Sequence, residues 1–157
     1  MATWQDFERE APELATAVRA RLEAHRHHVL ATVRKDGSPR VSGTEVRIVG
    51  ADLTAGSMYG SVKARDLLRD PRYALHANPG DGSMVGGDAK LAGRAVEIAD
   101  EMELSGYAAE LPEPPPSPYH AFRLELDEVV LTTVENDEYL LIKTWRPGEE
   151  VRSVQRR

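Results

Sequence analysis

Between Gly56 and His76 the chain reads Gly-Ser-Met-Tyr-Gly-Ser-Val-Lys-Ala-Arg-Asp-Leu-Leu-Arg-Asp-Pro-Arg-Tyr-Ala-Leu-His, and the residue types there suit the binding of an anion. The pattern predicts the end of a strand, a glycine-containing turn, a helix of about two turns and a new strand after Pro71. Ser61 is the expected N-cap, its hydroxyl accepting a hydrogen bond from a free N–H of the first turn. Lys63 and Arg65 follow directly. Outward-pointing backbone donors beside two cations form a ready site for a phosphate or carboxylate. The same residues also fit a plain surface helix, anchored by Leu67 and Leu68, with Lys63, Arg65, Arg69 and Arg72 solvated.

The elements that must position this segment are read from composition and periodicity. A chain of 157 residues with 41% apolar and 29% charged side chains is expected to form one soluble globular domain over residues 1–157. With no cysteine, thiolate nucleophiles, disulfides and cysteine metal clusters are excluded. The N-terminus lacks the pattern of a signal peptide and no apolar run suits a bilayer, so a cytoplasmic protein without membrane contact is expected. A net charge of −6 argues against nucleic acid as partner. The basic residues cluster at Lys63 to Arg72 and in the tail, which suits a small anionic ligand better than a polymer.

Pro12, Leu14, Val18 and Leu22 predict a first helix over residues 11–26. The His25-Arg26-His27-His28 exit has no carboxylate or cysteine nearby in sequence, so no metal site is expected. From His28 the period drops to two, giving a strand, an Asp36-Gly37 hairpin turn and a returning strand from Pro39 to Val49. Val41 and Gly43 share one parity while Val46 and Ile48 share the other, so a bulge or strong bend is expected near Gly43-Thr44. Further strands are predicted at Leu53 to Met58, Tyr73 to Ala77 and Asp88 to Ile98, the last with Gly93 leaving room for a flat group against backbone. A short helix over Asp100 to Glu110, a proline-rich connector over 111–118, strands around Phe122 to Leu126, Val129 to Val134 and Tyr139 to Trp145, and a tail over 146–157 complete the chain. Short antiparallel strands with few helices predict a mainly β, α+β protein built on a small barrel, whose ligands bind at a rim or between two copies.

Three stretches together resemble a known family: Val29-Leu30-Ala31-Thr32-Val33-Arg34-Lys35-Asp36-Gly37-Ser38-Pro39-Arg40-Val41-Ser42, then Gly60 to Arg72, then Gly93-Arg94-Ala95-Val96-Glu97. Over roughly residues 25–100 the sequence is similar to the flavin- and deazaflavin-binding split β-barrel proteins related to pyridoxamine 5'-phosphate oxidase. The resemblance implies a homodimer with two flavin-type cofactors at the interface of a barrel core over 28–98. It places the cofactor phosphate on Ser61, Lys63 and Arg65 and the ring edge against Arg40, Val41 and Ser42. Ser57, Lys90 and Arg94 are further cofactor candidates. Val62 stands where flavin oxidases of the family often carry a second cation, and the tail has arginines but no histidine, which argues against vitamin B6 oxidation.

The expected function is hydride transfer between bound FMN and an unidentified small substrate, with the deazaflavin coenzyme F420, or cofactor binding without turnover, as alternatives. The cofactor does the difficult chemistry in such enzymes, so no catalytic side chain is assigned. No Ser-His-Asp set or paired carboxylates appear. Tyr59, His76, Trp145 and Arg152 are the substrate-side candidates. A haem-binding relative ranks last, with His76 or His120 as its axial ligand.

Overall fold

The computed structural model describes residues 1–157. Helix α1 (Trp4–Glu10) opens with a capping box in which Thr3 Oγ1 accepts from the Asp6 N–H at 3.1 Å and Asp6 Oδ2 accepts from the Thr3 N–H at 2.9 Å. This helix is absent from the sequence reading, because seven residues carry too little periodicity to register. Helix α2 (Pro12–Ala24) starts on a proline at its first position and buries Leu14, Ala15, Val18 and Leu22.

Nine antiparallel strands follow: β1 (His28–Val33), β2 (Pro39–Thr44), β3 (Val46–Val49), β4 (Asp52–Met58), β5 (Arg72–His76), β6 (Asp88–Glu97), β7 (Tyr119–Glu135), β8 (Tyr139–Trp145) and β9 (Arg152–Arg156). Helix α3 (Val62–Arg69) joins β4 to β5, and α4 (Glu101–Ala109) follows β6. The strand order is β2-β1-β5-β6-β7-β4-β3, with β8 added to β7 and β9 to β8. The first and last strands of that path are separated in sequence by Glu45 alone. A sheet whose two edges are tied by one residue must curl, and because β2 and β3 do not pair, the result is a split β-barrel. The expected bend near Gly43-Thr44 is this break, one residue further on.

Two neighbouring strands expected around Phe122 and Val129 form one strand, β7, of 17 residues. Its far edge pairs β4 over Tyr119 to Arg123 and β8 over Val129 to Glu135. Ala2 fills the gap between them, exchanging backbone hydrogen bonds with Leu126 at 3.2 and 2.7 Å. A continuous apolar core of 25 residues runs through the barrel and includes α1 and α2 side chains.

Gly93 corrects a sequence expectation. It stands at the register shift between β6 and β7, and a Cβ there would lie 1.8 Å from the Glu125 carbonyl oxygen. The strand β7 itself takes the room expected for a flat ligand. The residues expected to form only a tail include β9, and no helix is long and apolar enough to cross a membrane.

Candidate functional site

The start of α3 is built as a donor cluster. Gly60, at φ +73, makes the turn out of β4, a conformation that costs glycine little. Ser61 caps the helix, its Oγ accepting from the Ala64 N–H at 3.3 Å. Ser57, at the end of β4, brings its hydroxyl to 2.5 Å from that of Ser61. The Lys63 ammonium donates to the Gly43 carbonyl at 2.9 Å and has no carboxylate in contact. Burial pulls its pKa below the ordinary lysine value, with the charge of Glu45 opposing, so a bound anion would stabilise its charged form. The Arg65 guanidinium lies beside Gly60 and makes no ion pair.

Asp66 fixes this helix to the sheet. Its buried carboxylate accepts from Thr32 Oγ1 at 2.7 Å, from Arg40 Nε at 2.7 Å and from Arg69 at 2.8 Å. Burial alone would raise its pKa, yet the hydrogen bonds from Arg40 and Thr32 and the two arginine charges hold it below the usual carboxylate value. Nothing in the sequence separates Asp66 from a solvated helix residue, so this anchor is a finding of the structure.

The candidate residues fall into two groups on opposite faces of the sheet. Arg40 pairs in register with Thr32 and Ser42 with Leu30, and register partners share a face. Both therefore point inward, toward α3, joining Ser57, Ser61, Lys63 and Arg65. Val41 faces the other way and is 71% exposed, so on the α3 side it has only its backbone to offer. On that outer face a single ladder row runs Gly43, Val29, His76, Lys90, Val130, Thr144, Arg152. His76, Lys90 and Arg152 thus align with one another and lie across the sheet from the α3 cluster. Alongside them Val29, Ala31, Val41, Ala74, Ala92 and Val130 line an apolar depression of about 340 Å³.

Trp145 stands apart from both groups. It is fully buried and packs on Phe7 with ring centroids 4.7 Å apart, so the substrate-side role expected of it is corrected to a core role. Helix α1, missing from the sequence reading, is what encloses it. Arg94 lies within electrostatic range of Asp70. Of the two histidines considered as axial ligands, His76 Nδ1 lies 2.6 Å from the Ala77 carbonyl. His120 Nδ1 is 3.0 Å from Glu97 Oε1, and Tyr59 stacks over its ring at 5.1 Å.

A cleft of about 1020 Å³ opens beside Ser57 and Tyr59, reaching Arg47 on β3, Tyr107 on α4 and the proline-rich connector. Arg47 and Tyr107 are functional candidates that sequence reasoning missed. No sequence signal marked them, because the cleft forms only when β3, α4 and the connector come together in the fold.

A family model described as pyridoxamine 5'-phosphate oxidase matches residues 14–133, which takes in the barrel strands through β6, α3 and nearly all of β7. The chain belongs to the pyridoxamine 5'-phosphate oxidase family. Its fold is similar to that of a pyridoxamine 5'-phosphate oxidase-related, FMN-binding protein from Nostoc punctiforme, with a TM-score of 0.66, 17% identity, and coverage of 94% of this chain and 96% of the other. It is also similar to PhzG from Burkholderia lata, solved with tetrahydrophenazine-1-carboxylic acid, at a TM-score of 0.62, 17% identity, and 92% and 88% coverage. A third similar structure is an F420 reductase, at a TM-score of 0.51, 20% identity, and 66% and 87% coverage. No curated protein matches the chain by sequence.

Proposed function

We propose that this protein is a flavin-dependent oxidoreductase that grips the phosphate of FMN at the start of α3 and transfers hydride to or from a small substrate. The observation that carries the reading is the donor set itself. Two hydroxyls, Ser57 and Ser61, stand 2.5 Å apart at the N-terminus of a capped helix, beside a lysine whose only hydrogen-bond partner is a carbonyl and an arginine with no ion pair. A helix N-terminus with such neighbours favours a phosphate, and an FMN-binding protein shares the fold.

Within this reading Lys63 and Arg65 neutralise the phosphate and Ser57 and Ser61 orient it. Arg40 and Ser42 bound the space next to it, Arg40 being held in place by Asp66. The flavin supplies the hydride chemistry when bound, while the chain supplies position, hydrogen bonds and exclusion of water. Lys90, His76 and Arg152 face away from this cluster, so they serve a site only through a second copy. The apolar outer face around Val41 is the surface on which a homodimer forms, which brings the corresponding rows of the two copies together at that interface. Tyr59 stands toward the substrate.

The fold shared with an F420 reductase supports the deazaflavin as the second reading. The absorbance spectrum of the purified protein, followed by titration with FMN and with F420, tests both. Saturable binding of FMN, weakened in Ser61→Ala and Lys63→Ala, is the expected result. Tighter binding of F420 at the same residues would favour the second reading, and binding of neither would overturn the proposal.

A further inference from the structure

Tyr59 is 67% exposed, yet its ring is not free. One face lies on the imidazole of His120, with centroids 5.1 Å apart and planes within 7°. That imidazole is itself fixed twice. Phe122 stacks beneath it at 6.1 Å, and Glu97 Oε1 holds its Nδ1 at 3.0 Å. The three rings come from β7 and the turn after β4, and the carboxylate from the end of β6, so the column stands on the barrel wall. A large exposed aromatic ring ordinarily samples several rotamers, and ordering it on binding costs free energy. Here the column supplies that order in advance. The opposite face of Tyr59 is left uncovered by this column, and the residue lines the large cleft together with Gly56, Met58 and Tyr119.

We propose that the outward face of Tyr59 is a fixed stacking platform for a flat, conjugated ring, with His120 and Glu97 as positioning residues that hold it level. Offset stacking on a tyrosine ring favours planar π-systems over saturated rings of the same size. The cleft therefore selects a planar conjugated small molecule as its occupant. This assignment rests on the proposed function in taking that occupant as the substrate, but stacking itself does not require the cofactor.

The test titrates the full-length protein, with and without saturating FMN, with 2-naphthoate and with its fully saturated decahydro analogue. Binding is followed by calorimetry and, for the naphthoate, by the red shift of its absorbance. The expected result is preference for the aromatic probe by about three- to tenfold, on the scale of one aromatic pair, with a red shift on binding. Tyr59→Phe retains both. Tyr59→Leu, which keeps an apolar surface, loses the preference and the shift. His120→Phe retains much of the preference because the column survives, whereas His120→Ala loses most of it. Equal binding of the two probes, or an aromatic preference unchanged in Tyr59→Leu, overturns the proposal. A Tyr59-dependent preference in a protein that binds neither FMN nor F420 would leave the platform standing and refute the cofactor reading alone.

Discussion

Lys63 has a short helix beneath it, a carbonyl as its only hydrogen-bond partner and a pKa depressed by burial. Each of these makes it a charge awaiting a counter-charge. Lys63→Ala is expected to weaken FMN binding by about 1.5–3 kcal/mol, the scale of a charge-assisted hydrogen bond. That corresponds to roughly ten- to hundredfold in Kd by calorimetric titration. Because the side chain is only half-buried, the unfolding midpoint should move little, and unchanged affinity would remove the phosphate from this residue. Trp145 illustrates the opposite case. A tryptophan beside a basic tail reads from sequence as a ligand contact, since nothing in its neighbours reveals that Phe7 closes over it. Trp145→Ala is expected to destabilise the fold by about 3–5 kcal/mol, the range for emptying a buried aromatic site, as measured by urea denaturation. The FMN affinity of the molecules that remain folded should be kept.

At the scale of elements, the attachment of α3 depends on Asp66. Removing one partner from a buried ion pair strands the others, so Asp66→Ala should cost about 3–5 kcal/mol. It should also release Arg40 and weaken FMN binding beyond the effect of Arg40→Ala alone. Two depressed pKa values give pH dependences in the same direction at different pH. His28 is buried, its Nε2 2.9 Å from the Leu22 carbonyl and its Nδ1 accepting from the Asn78 N–H at 2.9 Å, an arrangement made by the neutral ring. Burial is the main cause that lowers its pKa from 6.5. The unfolded chain therefore takes up a proton first, and stability should fall as pH drops below about 6.5. His28→Gln should flatten that limb in a series of denaturation curves. Asp66 contributes stability that is present above its unfolded pKa of 3.8 and lost as pH falls further. Strands such as β1, β5 and β6 were legible in sequence because their buried positions alternate, and α3 because Ser61 is a recognisable cap. The breaks were less so. Glu45 ends β2 without any turn residue, and β7 runs through Asp127, where the expected strands stop. The Asp66 anchor joins groups 26 and 34 residues apart in sequence, and only the folded register brings them together.

The whole molecule poses a different question, because one copy divides its candidate residues between two faces. The α3 cluster lies on one side of the sheet, and His76, Lys90 and Arg152 on the other. An apolar surface around Val41, Val29 and Ala31 separates Lys90 and His76 from the strand edge, with Val41 71% and Val29 43% exposed. The ladder continues it to Val154 on β9, which is 45% exposed and pairs Ile142. Exposed Val41, Val29 and Val154 interspersed with His76, Lys90 and Arg152 match the mixed apolar and polar make-up of a protein–protein interface, and an ordinary stable one buries roughly 800 Å² per partner. Sedimentation equilibrium is therefore expected to give a dimer. Val41→Asp places a charge at the β2 end of that face, where the isolated chain already exposes the side chain. It should abolish the dimer and leave the unfolding of the monomer close to that of the parent at concentrations where both are monomeric. If the site is completed by the partner's row, the monomer should also lose FMN affinity, and Lys90→Ala in an intact dimer should lose part of it. A Val41→Asp protein that stays dimeric would place the interface elsewhere. One that becomes monomeric yet binds FMN at the parental affinity would show that the α3 cluster suffices alone and that the row of His76, Lys90 and Arg152 serves some other purpose.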